Sequence, residues 1–165
     1  MNYQALFSKQ NELDKKIAEL HPPQQGENRL HKKILALQVE LAELAQEQRS
    51  WKFWSVDRKP RRNHLLEEYV DVLHFAISIA FDLGVTLKEV KVVDNSNFTI
   101  EERFINLMTG YGILGKQIVE IDSSYHDLFA NTIELGLALG LTLESIEAAY
   151  YDKNKINEER QENGY

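Results

Sequence analysis

Wound as a helix, the stretch from His64 to Phe81 carries apolar side chains over more than half of its circumference: Leu65, Leu66, Tyr69, Val70, Val72, Leu73, Ala76, Ile77, Ile79, Ala80 and Phe81. A helix that apolar has to be buried among other elements. Its remaining arc holds Glu67, Glu68, Asp71, His74, Phe75 and Ser78, so these acids are expected to face a protein-lined cleft. The chain therefore needs several helices around this one, and something in the cleft to offset the charge.

A second helical pattern, Ile34 to Gln48, supplies the complement. Ile34, Leu37, Leu41 and Leu44 form one apolar stripe, and Leu35, Val39 and Ala42 cover much of the opposite side. Glu40, Glu43 and Glu47 occupy the strip between them, where the small Ala36 leaves room. Acids three apart share a helix face, so Glu40-x-x-Glu43 and Glu68-x-x-Asp71 on adjacent helices can aim four carboxylates at one point. Two like charges about 5 Å apart at an effective dielectric of about 20 repel by roughly 3 kcal/mol. Four together require protonation or a divalent cation. Glu67, at i, i+4 to Asp71, competes with Glu68 for the fourth place, and the helical wheel leaves that choice open. Acid pairs also decorate ordinary solvated helices in a chain that is 27% charged; the metal reading rests on both pairs lying in otherwise apolar helices.

The 165 residues suit one domain, or a domain with a small lobe, and can bury a sizeable core. With 43% hydrophobic residues, 3 Pro and 8 Gly, the composition is globular and strongly helical. The absence of cysteine excludes a disulfide framework or thiolate site. No apolar run has membrane-spanning length and Met1-Asn2-Tyr3-Gln4 opens no signal segment, so a cytoplasmic location is expected. A net charge of −7 argues against general nucleic-acid binding, which needs cationic surface.

Periodicity predicts helices over Tyr3–Leu20, Asn28–Gln48, Asn63–Asp82, Thr86–Val93, Thr99–Ile118, Asp122–Leu139 and Thr142–Arg160, with no convincing strand: an all-α chain. Pro22-Pro23 and Gly26 separate the first two. Thr86 with Glu89 and Thr99 with Glu102 form capping-box patterns. The phrase Leu83-Gly84-Val85-Thr86-Leu87 returns as Leu139-Gly140-Leu141-Thr142-Leu143. In each copy Gly is placed to end a helix and Thr to cap the next. A duplicated helix-turn-helix unit and two independent uses of one turn both account for it.

Trp51, Phe53 and Trp54 follow the first acidic helix. They suit either a hydrophobic plug on a helix bundle or stacking on a base, whose π-face every nucleotide offers. Phe75 lies one turn beyond Asp71 on the carboxylate strip, where a ring serves better as a ligand wall than as core. Lys153, Asn157 and Arg160 repeat at i, i+4, i+7, a set of donors that phosphate oxygens want. A solvated terminal helix, salt-bridged to Asp152, Glu158 and Glu159, explains the same pattern. Arg58-Lys59-Pro60-Arg61-Arg62 reads as a solvated basic loop, and His74 as a neighbour of the acidic strip.

Taken together, the run Ala36–Ala45, the Trp51–Trp54 cluster, Leu66-Glu67-Glu68-Tyr69-Val70-Asp71-Val72-Leu73-His74-Phe75 and the ending Tyr151–Tyr165 resemble the dimeric dUTPase family, one of the all-α nucleotide pyrophosphatases alongside MazG-like enzymes. The resemblance covers nearly the whole chain. The acid pairs point to the superfamily; the His-Phe after the aspartate and the Lys, Asn, Arg, Tyr ending narrow it. It implies that Glu40, Glu43, Glu68 and Asp71 bind Mg2+, preferring Glu68 to Glu67. It implies that Gln10 is the uracil-reading amide and that Phe75 and one of Trp51 and Trp54 sandwich the base. It also implies that Lys153, Asn157, Arg160 and Tyr165 hold phosphates on a mobile terminal element from about residue 142, with His74 beside the substrate. Asp14 stands where some members have Asn.

The expected reaction is hydrolysis of dUTP, with dUDP a further candidate substrate, to give dUMP and pyrophosphate from dUTP. Magnesium favours oxygen ligands and bridges carboxylates to phosphates. Glu43, if not fully engaged by metal, can take the proton of the attacking water. A homodimer whose partner completes the cleft is expected. Rival readings are a related pyrophosphatase with another nucleotide and a non-enzymatic helical interaction protein. A ferritin-like di-iron bundle fits least, since it uses Glu-x-x-His motifs and this chain has none.

Overall fold

Asn2 opens the first helix, α1 (Tyr3–Leu20), by accepting the backbone N–H of Ala5 with its side chain. Asn28 does the same for α2 (Arg29–Gln48) through the N–H of His31. Such caps satisfy N–H groups that the helix itself leaves orphaned. Four more helices follow: α3 (Arg62–Asp82), α4 (Ile100–Leu114), α5 (Ile121–Ala138) and α6 (Leu143–Glu162). This computed structural model describes residues 1–87, 89–114 and 121–164, with the side chains of 121–123 outside the description. Among the described residues there is no strand, and no helix is long and apolar enough to cross a membrane.

Helix α3 is the central rod, packed on α2, α6, α1 and α5, while α4 joins α5 to α2. Its buried residues include Leu65, Tyr69, Val72, Leu73, Ala76, Ile77 and Ala80, the all-round apolar character seen in the sequence. On α2 the buried set is Ile34, Leu37, Leu41, Leu44 and Gln48, whereas Leu35 and Val39 stay 65% and 47% exposed. The two apolar sides of α2 are thus unequal: one seals against α3 and the other faces out. Buried tyrosines tie the rods by hydroxyl bonds: Tyr69 donates to the Thr132 carbonyl at 2.9 Å, and Tyr125 donates to the Ala76 carbonyl. A Cβ at Gly136 would stand 2.5 Å from the ring of fully buried Tyr69, so glycine is what lets α5 lie this close to α3.

The repeated phrase builds the same turn twice. Gly84 and Gly140 both adopt positive φ, and the residue after each, Val85 or Leu141, donates its N–H back to a carbonyl five residues earlier, that of Ala80 or Gly136. The copies then part. Thr142 caps α6 in a reciprocal bond with Ser145, but no helix follows Thr86 among the described residues, so the helix expected over 86–93 does not form. Lys88 would put a cation at that helix's positive end, where α6 has Glu144 in its first turn. The β-branched Val90, Val92 and Val93 add rotamer cost. Burial of Val85 and Leu87 anchors the segment in irregular form instead. The Thr99–Glu102 box does form, with Glu102 accepting the Thr99 N–H at 2.8 Å.

Candidate active site

Side-by-side packing of α2 and α3 brings the two acidic strips together. Glu40, Glu68 and Asp71 each offer a carboxylate oxygen within 4.8 Å of the others, and all three are partly buried. Glu67, exposed on the adjoining flank, is not of this trio and lies 3.6 Å from the Lys153 ammonium. Glu43, one turn from Glu40, is exposed and outside the trio, yet its charge still reaches Glu40 and Glu68. Burial, then the charges of Asp71, Glu43 and Glu68, push the Glu40 carboxyl up to about 7. Burial and neighbouring carboxylates also raise Glu68, and burial raises Asp71 against the pull of Lys153. Oxygen-only donors with suppressed ionisation fit a hard divalent cation, whose charge relieves the repulsion.

Helix α6 closes the far side. Lys153 donates to Asp71 Oδ2 at 2.6 Å, joining residues 82 positions apart. Burial opposes its charge, but the adjoining Asp71 carboxylate prevails and its pKa is raised. Asn157 and Arg160 lie on the same wall.

Between α1, α3 and α6 opens a cleft of about 720 Å3 that has Glu40 and Asp71 in its wall. That volume falls in the range of small-molecule sites, roughly 300–1,000 Å3. Gln10, His74 and Phe75 also line it, so the amide, the ring and the phosphate-type donors expected from the sequence face the same space as two of the acids. His74 is buried; burial and then the Lys153 charge press its pKa down to about 3, so the ring is neutral. Trp51 and Trp54 are not in this wall. The Trp51 indole donates to the Ala45 carbonyl at 3.1 Å and packs edge-on against Trp54, which is 64% exposed. Tyr165 lies outside the described residues.

One group of participants was not legible in the sequence. Tyr150, fully buried on α6, donates its hydroxyl to Gln10 Oε1 at 2.7 Å and stacks on His74 at 4.1 Å. Ser78 donates to Asp14 Oδ2 at 2.5 Å. Nothing in the period of α6 distinguishes Tyr150 from a core aromatic; only the packing of α1 against α6 reveals its partner.

The chain matches the sequence model described as dUTPase over residues 2–165. It belongs to the dUTPase family. Members of that family hydrolyse dUTP to dUMP and pyrophosphate, so this dUTPase is a dUTP diphosphatase of all-α build. A comparison with curated proteins finds no match. In this dUTPase the acidic trio and the cleft are contiguous, Glu40 and Asp71 belonging to both.

Proposed function

We propose that this dUTP diphosphatase is magnesium-dependent and works at the junction of α2, α3 and α6. The observation carrying this reading is the convergence of Glu40, Glu68 and Asp71 within 4.8 Å at one end of the cleft. With Glu43 they would hold Mg2+, which when bound neutralises phosphate charge and favours an attacking hydroxide. Glu43, outside the trio and open to water, is the base that takes the proton of the attacking water. Lys153, Asn157 and Arg160 bind the phosphates from α6, Lys153 exchanging its bond to Asp71 for one to substrate. Phe75 walls the base and Gln10 reads its edge, with His74 alongside; either tryptophan and Tyr165 would complete the enclosure.

The chain acts as a single domain; of the part from about residue 142, Ile146, Tyr150 and Asn154 are buried, so the segment that closes over substrate is the last turns of α6. Its end is held by exposed polar contacts, Lys16 to Glu162 at 2.7 Å and His21 to Gln161 at 3.2 Å, which can be exchanged at little cost. dUDP, carrying the same base and a shorter tail, is a second substrate. The cellular compartment implied by such substrates is the cytoplasm.

Pyrophosphate release from dUTP, dCTP and dTTP tests this reading. Mg2+-dependent turnover of dUTP at least a hundredfold faster than of the others is expected, and chelation should abolish it. Equal rates would remove the uracil assignment, and no release from any of them would favour a non-enzymatic role.

A homodimer is proposed on the outward apolar side. Leu35 and Val39 on α2 and Ile105 and Ile113 on the neighbouring α4 are all 47–65% exposed. A groove of about 290 Å3 lined by Ala42, Trp51, Ile105 and Met108 lies between these helices. Such a surface on a monomer marks an interface. The expected mass in solution is twice 19.2 kDa at micromolar concentration; Leu35→Glu should shift it toward monomer, and a wild-type monomer would refute the dimer.

A further inference from the structure

The Gln10 side chain is gripped at both ends of its amide. Nε2 lies 2.8 Å from Asp14 Oδ1, while Oε1 lies 2.7 Å from the Tyr150 hydroxyl and 2.7 Å from His74 Nδ1. A carboxylate only accepts hydrogen bonds, so the amide end beside Asp14 has to be the nitrogen. The carbonyl end then receives Tyr150 and His74 as donors. Turning the amide over would set its oxygen against the Asp14 carboxylate, an acceptor facing an acceptor. Asp14 is itself fixed, accepting from Ser78 at 2.5 Å and standing 3.6 Å from the Lys33 ammonium. Asp14 and Ser78 belong to the cleft wall, whereas Tyr150 is fully buried behind Gln10. An amide nitrogen carries two hydrogens and Asp14 takes one. The other is a donor available to a base edge.

We propose that Tyr150 is a positioning residue for base selectivity: with Asp14 it holds the Gln10 carbonyl inward, so that the amide meets the base only as a donor. This rests on the reading of Gln10 as the residue that meets the base. Uracil presents a carbonyl at its C4 position and cytosine an amino group there. A fixed donor pairs with the carbonyl and opposes the amino group, whereas an amide free to turn accommodates both. A site whose polar groups are left unpaired by the wrong ligand discriminates strongly, which one able to re-pair does not.

The test is the ratio of kcat/KM for dUTP to that for dCTP. Tyr150→Phe keeps the ring stacked on His74 and removes one of the two donors; the ratio should fall roughly tenfold. Adding Asp14→Asn, which can donate as well as accept, should bring the fall to about a hundredfold, with dCTP turnover rising in absolute terms. A merely structural role of Tyr150 would lower both substrates alike, and an unchanged ratio overturns the inference. Should Tyr150→Phe fail to fold, Asp14→Asn alone carries the same expectation, read as relative affinity for dUMP and dCMP by calorimetry. Wild-type protein that does not prefer dUTP would sink the functional reading itself; a preference that survives both substitutions sinks only the role of Tyr150.

Discussion

Glu68→Gln is expected to reduce dUTP turnover by roughly a thousandfold or more, about 4 kcal/mol of transition-state stabilisation, while leaving the fold intact. The substitution keeps the size of the side chain and replaces one of the three carboxylates that converge between α2 and α3 by a neutral amide. It also removes a charge that repels its neighbours, since burial and the Glu43 and Asp71 carboxylates already disfavour ionised Glu68. The metal-free variant should therefore melt at the same temperature as the wild type or slightly above it. Most substitutions that destroy activity through misfolding lower the melting point; this one separates the two effects because a site strained for function gives up stability. Glu67→Gln is the control. Glu67 is exposed and outside the trio, so its replacement should change turnover by less than about threefold, the usual scale of an exposed ion pair. Steady-state kinetics beside thermal melts of both variants decide the matter, and similar losses for both would mean that the acids on α3 do not act as the trio.

Much of this site could be read from helical spacing because its key residues repeat along two rods. The stripe of Ile34, Leu37, Leu41 and Leu44 put one side of α2 in the core, and that alone left Glu40 at the seam with α3. Asp71 follows from the same logic on α3, as does Phe75 on the cleft wall. Contacts between distant segments were less accessible. The bond from Lys153 to Asp71 depends on how α6 lies across α3, which no local period encodes. The hydroxyl of Tyr150 on Gln10 joins residues 140 positions apart, and a tyrosine at a core position looks like any other buried ring until α1 is packed on α6. The helix expected over 86–93 failed for a related reason: its Thr-x-x-Glu start satisfies the local rule, but Val85 and Leu87 are committed to the core and the following valines resist helix. For Trp51 and Trp54 spacing had no bearing, since they lie in the turns after α2, outside any helical period, and are not among the residues of the cleft wall.

Metal affinity should rise with pH about tenfold per unit below pH 7 and level off above it, because one proton has to leave Glu40 before its oxygen can serve as a ligand. That carboxyl ionises at about 7 in the folded protein and at 4.5 ordinarily, so between these values the folded chain keeps a proton that the unfolded chain has released. Glu40 on its own therefore makes the metal-free protein less stable as pH rises from about 4.5 to about 7. His74 acts in the opposite sense. Its pKa is about 3 when folded against 6.5 ordinarily, so across that window the unfolded chain binds the extra proton and stability rises with pH. The two slopes oppose each other from about pH 4.5 to 6.5, with the raised Glu68 and Asp71 carboxyls acting in the sense of Glu40. Metal binding escapes the cancellation, because folded His74 does not titrate above about pH 3 and only the carboxylates change charge. Calorimetric titration of Mg2+ at pH 6 in two buffers of different ionisation enthalpy should register release of close to one proton per binding event, falling toward none at pH 8. In Glu40→Gln the proton release at pH 6 should fall, and the melting temperature should climb more steeply with pH as the slope contributed by His74 is exposed. Binding without proton release in the wild type at pH 6 would show that Glu40 is not the group on which the ion depends.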